Sequence, residues 1–145
     1  VNSLSATIVQ TNFTSDSAAS LGGSIFSSAA RISLTSVSIK SATANNGGGL
    51  AVSQGGSVVI SSSQFAQNQG GNAGAIFCVG SAASFSSVKL YSTNFLGNVA
   101  INSGGAIQVT SYCSVTIQKS QLTSNVVLDS DTPISLGGAV SCQYG

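Results

Sequence analysis

Few side chains in this chain can do chemistry. The carboxylates are Asp16, Asp129 and Asp131, the cations are Arg31, Lys40, Lys89 and Lys119, and there is no histidine. Without histidine no Ser-His-Asp or Cys-His nucleophile pair can be assembled. Glycoside hydrolysis needs two carboxylates at a set separation, and lyase chemistry needs a basic residue with acidic calcium ligands beside it. Asp129 and Asp131 stand together with Ser130 between them. They fall short of the roughly six to eight oxygens that a calcium ion takes, and they read as a solvated loop. Three cysteines, Cys78, Cys113 and Cys142, are an odd number, so at least one has no partner within the chain.

Composition narrows the field further. Of the 145 residues 42% are hydrophobic and only 5% charged, which is the reverse of a disordered chain. A net charge of +1 provides no basic patch, so nucleic acid is not an expected partner. No run approaches the roughly 18 apolar residues of a membrane helix, so membrane insertion is not expected either. Val1 is followed by no basic, apolar leader. The chain reads as a mature product or an excised piece. Low charge with abundant Ser, Thr and Asn fits an extracellular or cell-surface location.

The elements that position these residues come from repetition. Around Phe65 stand Val58, Ile60, Ser63 and Asn68. The same spacing recurs as Ala6, Ile8, Thr11, Phe13, Asp16 and as Ile32, Leu34, Val37, Ile39, Ala42. It returns as Val88, Leu90, Thr93, Phe95, Asn98 and as Val115, Ile117, Ser120, Leu122, Asn125. The anchors Phe13, Ile39, Phe65, Phe95 and Leu122 are 26, 26, 30 and 27 residues apart. After each anchor comes a small-residue cluster ending in an aliphatic: Gly22–Ile25, Gly47–Leu50, Ala73–Ile76, Gly104–Ile107 and Gly137–Val140. Two insertions interrupt the rhythm, a small one in Cys78–Ser87 and a longer one near Val127–Ser135.

Within each unit apolar residues alternate, the period of a strand, and no helical period is sustained. The expected fold is all-β: a right-handed parallel β-helix of about five coils, with three short strands per coil. Residues 1–145 form one such segment, a fragment of a longer assembly or a repeating unit in one. One coil cannot bury its inward side chains alone. Stacked about 4.8 Å apart, like residues fall above like, so the anchors form a core column about 24 Å long. Asn68, Asn98 and Asn125 form a structural ladder at a bend, each amide bonding its own turn and the next rung. Asp16 falls at the same position, as a turn acceptor. The glycines mark the following corner, where a left-handed backbone or close coil contact excludes Cβ. They do not match a phosphate loop, because no Gly-Lys-Ser/Thr follows them.

Two tetrapeptides in this pattern, Gly104-Gly105-Ala106-Ile107 (with Gly137-Gly138-Ala139-Val140) and Phe65–Asn68 (with Phe95–Asn98), resemble the repeats of chlamydial polymorphic outer membrane proteins. That family is marked by Gly-Gly-Ala-Ile-like and Phe-x-x-Asn motifs. The likeness implies an adhesin-like extracellular rod in the broad pectin-lyase-like class. Its first two coils carry degenerate motifs.

The functional expectation is a non-catalytic structural or adhesive segment, part of a surface rod or a self-associating filament, with no cofactor and no metal. No polar cap is written at either end, so end-to-end or lateral self-association, or continuation of a longer chain, is expected. Two alternatives are a carbohydrate-binding or ice-binding solenoid and the inert part of a polysaccharide-degrading enzyme. Surface glycans would meet Tyr91 or Tyr112. Ice would need a regular outward face, and Lys89, Tyr91 and Gln118 interrupt it. Asn12-Phe13-Thr14 is a glycosylation sequon with Asn12 facing out. Cys78 and Cys142 share a column two coils apart, about 9.6 Å, too far for a disulfide. A disulfide of Cys113 with Cys78 or with Cys142 stays open, as do three buried thiols. Lys89 and Lys119 are expected to project outward from strands.

Overall fold

The computed structural model describes residues 4–128 and 138–143. These form an all-β parallel solenoid of five coils without a helix. Each coil visits its sheets in a fixed order. The first sheet stacks Ser5–Val9, Arg31–Thr35, Ser57–Ser61, Ser86–Tyr91 and Cys113–Gln118. The second stacks Asn12–Thr14, Ser38–Lys40, Gln64–Ala66, Asn94–Leu96 and Gln121–Thr123. The third stacks Thr43–Asn46, Gln69–Asn72, Val99–Ser103 and Val126–Val127. The fourth stacks Ile25–Ser28, Leu50–Ser53, Ile76–Cys78, Ile107–Val109 and Val140–Cys142.

Three of these sheets are the ones written in the repeat; the third is additional. Thr43–Asn46 and Gln69–Asn72 lack alternating apolar residues, and in Val99–Ser103 the alternating Val99 and Ile101 are the less buried positions, with Ala100 buried between them. They are held by backbone bonds to the coils on either side, such as Gln69↔Thr43 and Gln69↔Val99. In coil one this sheet is reduced to the isolated bridges Ser17↔Thr43 and Leu21↔Asn46. All strand pairings are parallel. Among the described residues an antiparallel bridge occurs at Ser81↔Ser84, inside the Cys78–Ser87 insertion. Of the second insertion, the residues from Asp129 to Ser135 lie outside the described residues, together with Gly137.

The core follows from the register. Phe13, Ile39, Phe65, Phe95 and Leu122 pair in sequence across the second sheet. The rings of Phe65 and Phe95 stack with centroids 5.1 Å apart and an interplanar angle of 11°. On the first sheet Val58 and Ile60 are buried and Val59 between them faces out, the alternation of a half-buried strand. The corners use two devices. Ser36, Ser62 and Ser92 end the first strand, and Ser41 and Gln67 follow the second, all with φ between 49° and 56°. Each costs roughly 1–2 kcal/mol in the left-handed region, and the stacked coil bonds hold them there. At the third corner the glycine at the second position of each cluster faces the next coil. A Cβ on Gly23, Gly48, Gly74 or Gly105 would overlap the carbonyl oxygen of Gly48, Gly74, Gly105 or Gly138 respectively. Close coil contact is therefore what excludes a side chain there.

Candidate functional site

The most organised polar feature is the asparagine ladder behind the anchor column. The Oδ1 of Asn98 accepts from the backbone N–H of Asn68 at 3.0 Å and from its Nδ2 at 2.9 Å. Asn125 repeats this toward Asn98, at 3.0 and 2.9 Å. Each Nδ2 also donates to the anchor carbonyl of the preceding coil: Asn68 to Ile39, Asn98 to Phe65, Asn125 to Phe95. The ladder therefore has a direction. A rung reaches toward the coil before it, satisfying that coil's N–H and anchor carbonyl. Asn68 and Asn98 are fully buried, where unpaired amides would cost roughly 1–3 kcal/mol each. In coil two the rung is missing; Ala42 donates its N–H to Asn68 and has no amide to offer Asp16.

Beside it runs a hydroxyl column. Ser63 Oγ accepts from the N–H of Val37 and donates to Ser61 O; Ser120 Oγ serves Thr93 and Gln118 in the same way. A second amide row joins Asn102 to Asn72 and Asn72 to Asn46 across the third sheet. Sequence reading missed this row, although its spacings of 26 and 30 residues are those of the anchors.

The chemically competent side chains are dispersed. Arg31 and Lys89 are exposed on different strands of the first sheet, Lys40 is exposed on the second, and no two cations are register partners. Lys119 departs from expectation: it sits at a corner with φ 50°, between strands rather than on one. Asp16 occupies the ladder position, and its Oδ2 is buried without a hydrogen-bond partner among the described residues. Asp129 and Asp131 lie outside the described residues. Among the described residues no group of three or more His, Cys, Asp or Glu is placed to hold a metal ion, and no helix is long and apolar enough to cross a membrane.

Cys78 and Cys113 are joined in a disulfide with Cα atoms 6.0 Å apart. Cys142 carries an exposed free thiol two register steps from Cys78, with Val109 between. The disulfide lies at the base of the Cys78–Ser87 insertion. Beside it Phe85 (67% exposed) meets Tyr112 edge-on at 5.7 Å. Asn12 is exposed on the outer face of the coil-one strand of the second sheet. A shallow groove of about 460 Å³ crosses the third sheet. Ala44, Gly70 and Gly71 line it together with Ile101 and Leu128. Among the described residues no titratable group lines it.

The fold and these columns define a parallel β-solenoid whose ordered polar groups serve the stack itself. Residues 92–110, which carry Phe95, Asn98 and the Gly104–Ile107 cluster, match the family model described as the Chlamydia polymorphic membrane protein (Chlamydia_PMP) repeat. This stretch of the fourth coil is similar to that repeat. No curated protein and no solved structure matches the chain.

Proposed function

We propose that this chain is a non-catalytic, extracellular structural segment: a length of surface rod that displays its outer faces for adhesion. One observation carries the reading. The inward columns and both amide rows repeat in register from coil to coil, so the ordered side chains are used in propagating the stack. The Cys78–Cys113 disulfide supports an oxidising compartment. The match to a repeat named for membrane proteins supports the cell surface.

Immunolabelling of intact source cells with antibody to the folded chain tests the location; labelling only after permeabilisation contradicts it. Incubation with neutral and acidic polysaccharides, read by new reducing ends or unsaturated products, tests the absence of catalysis. Turnover that survives removal of all four cations and all three carboxylates, Asp16, Asp129 and Asp131, would be contamination, and turnover lost with one of them would refute the reading.

A second reading, contact with surface glycans, is favoured by the exposed Phe85–Tyr112 pair. Aromatic faces flanked by hydroxyls suit a pyranose ring. A glycan array on which the wild type binds and Phe85→Ala with Tyr112→Ala does not would raise it above the structural reading.

A further inference from the structure

The loop over residues 79–85 draws little support from the stack. None of its residues is fully buried, and Ala82, Ala83 and Phe85 are exposed, so it has no core of its own. Within itself it is closed by the bridge Ser81↔Ser84, whose two N–H groups each reach the other's carbonyl at 3.0 Å. An isolated hairpin of this kind is marginal in water.

The Cys78–Cys113 disulfide meets this loop at both ends. Cys78 is the residue before it, and Cys113 is the register partner of Ser86, the residue after it. Phe85 precedes Ser86 and Tyr112 precedes Cys113, so the bond sets the two rings side by side. Tyr112 has φ 56°, a region costly for a bulky residue, and its carbonyl accepts from Ser86 N–H at 3.0 Å. Gly80 N–H donates to Ser111 O at 2.9 Å, and a Cβ on Gly80 would overlap Tyr112 O. Loop and corner are thus pressed together around the sulfur bridge. The cysteines are 0% and 5% exposed, while the rings outside them, Phe85 and Tyr112, are 67% and 42% exposed. The stack itself does not call for cysteine here. Val52 and Val109 flank Cys78 in register, and serine stands opposite Cys113.

We propose that the disulfide serves the surface rather than the stack: its formation assembles the Phe85–Tyr112 pair, so the chain acquires this contact surface only in an oxidising compartment. This rests on the second reading above for what the surface meets, and adds what regulates it. The two thiols exchange with a low-molecular-weight disulfide. The Cys78–Cys113 bond forms as that S–S bond breaks, two electrons pass to it, and two small thiols leave carrying the two protons. While the cysteines stay reduced, the loop is left to its hairpin bridge and Phe85 parts from Tyr112. The coils keep their register.

The test uses the 145-residue chain with Cys142→Ser, which takes the third thiol out of exchange. It is compared, oxidised, with the same chain carrying Cys78→Val and Cys113→Ser, the residues that neighbouring coils hold at those positions. Far-UV circular dichroism follows the coils. A nuclear Overhauser contact between the two rings, and exchange of the Gly80 and Ser86 amides, follow the surface. The oxidised chain should show the ring contact. The Val/Ser variant should lose it and exchange those two amides about 30-fold faster, the lower end of what a crosslink contributes. The Asn68 amide in the core should be unchanged. Refolding the reduced chain with a small disulfide present should restore the contact. A ring contact that persists in the Val/Ser variant overturns the inference. Loss of β-structure throughout that variant overturns it too, because the bond then holds the coils. A glycan array separates the two readings. Equal glycan binding by both chains overturns the inference. A ring contact that depends on the disulfide, with no glycan bound by the oxidised chain, refutes the second reading and leaves the redox inference standing.

Discussion

Coil three and coil five use nearly the same residues and meet different fates. Val58, Ile60 and Phe65 in coil three are buried to 0%, 0% and 1%, whereas in coil five Ile117 is 37% exposed and Val115 and Leu122 are half-buried. The side chains are equivalent by register and comparable in size. What differs is the number of coils stacked on them: two for coil three, one for the described part of coil five. Burial in this molecule is a property of a residue's neighbours along the axis. It follows that one substitution should have different consequences at the centre and at the end, as nearest-neighbour stacking requires.

The largest contrast should come from the anchor column. Phe65→Ala removes a ring stacked on Phe95 and covered on both sides, and should cost about 4 kcal/mol. Leu122→Ala removes a half-buried side chain from an end coil and should cost about 1–2 kcal/mol. Chemical denaturation of both variants measures the difference. Equal losses would mean that the coils do not stack as independent layers, and the centre-to-end comparison would fail.

The glycine column sharpens the same contrast with a single methyl group. At Gly74 a Cβ would overlap the carbonyl oxygen of Gly105 and crowd the backbone of Val99. Backbone cannot swing aside as a side chain can, so Gly74→Ala should cost about 3 kcal/mol, the upper part of the overpacking range. At Gly138 the nearest atom to an added Cβ is Asn125 O, 3.7 Å away, which is ordinary contact. Gly138→Ala should change stability by less than about 0.5 kcal/mol. Thermal unfolding followed by circular dichroism separates the two.

Much of the fold was legible because a solenoid writes its columns directly into the sequence spacing. The anchors from Phe13 to Leu122, the paired aliphatics and the ladder positions all recur because one coil's residue must match the next. The third sheet was illegible for the opposite reason. Thr43–Asn46 and Gln69–Asn72 show no apolar alternation, and their strand geometry comes from bonds to neighbouring coils. The left-handed corners at Ser36, Ser62 and Ser92 were hidden too, since serine occurs in ordinary turns and nothing in its type announces a positive φ. Lys119 was expected to project from a strand, but the strand ends at Gln118 and the chain turns at Lys119. The pairing of the three cysteines depended on how the chain bends after Val109, which spacing alone leaves open. The structure joins Cys113 to Cys78.

The smallest predicted contrast concerns the ladder, and it separates hydrogen bonding from packing. Asn98→Ala takes the acceptor away from the Asn68 N–H and from one Asn68 Nδ2 hydrogen, and takes the amide donor away from the Phe65 carbonyl, in a dry interior. The mutant chain cannot recruit water easily at a fully buried site, so the orphaned groups bear their desolvation cost, about 2–3 kcal/mol in all. Asn125→Ala orphans the same kinds of group on Asn98 and Phe95, but at a rung that is only partly buried, where water can substitute; about 1 kcal/mol is expected. Asn98→Asp discriminates further. It keeps the volume and the acceptor but loses the donor to Phe65 O, and it puts a charge in the core, so it should be no better than alanine. Hydrogen exchange at the Asn68 amide reads the outcome at a single atom. Protection should fall sharply in Asn98→Ala and little in Asn125→Ala. If protection at Asn68 survives the loss of Asn98, the ladder is an ornament on a stack held by its apolar columns alone.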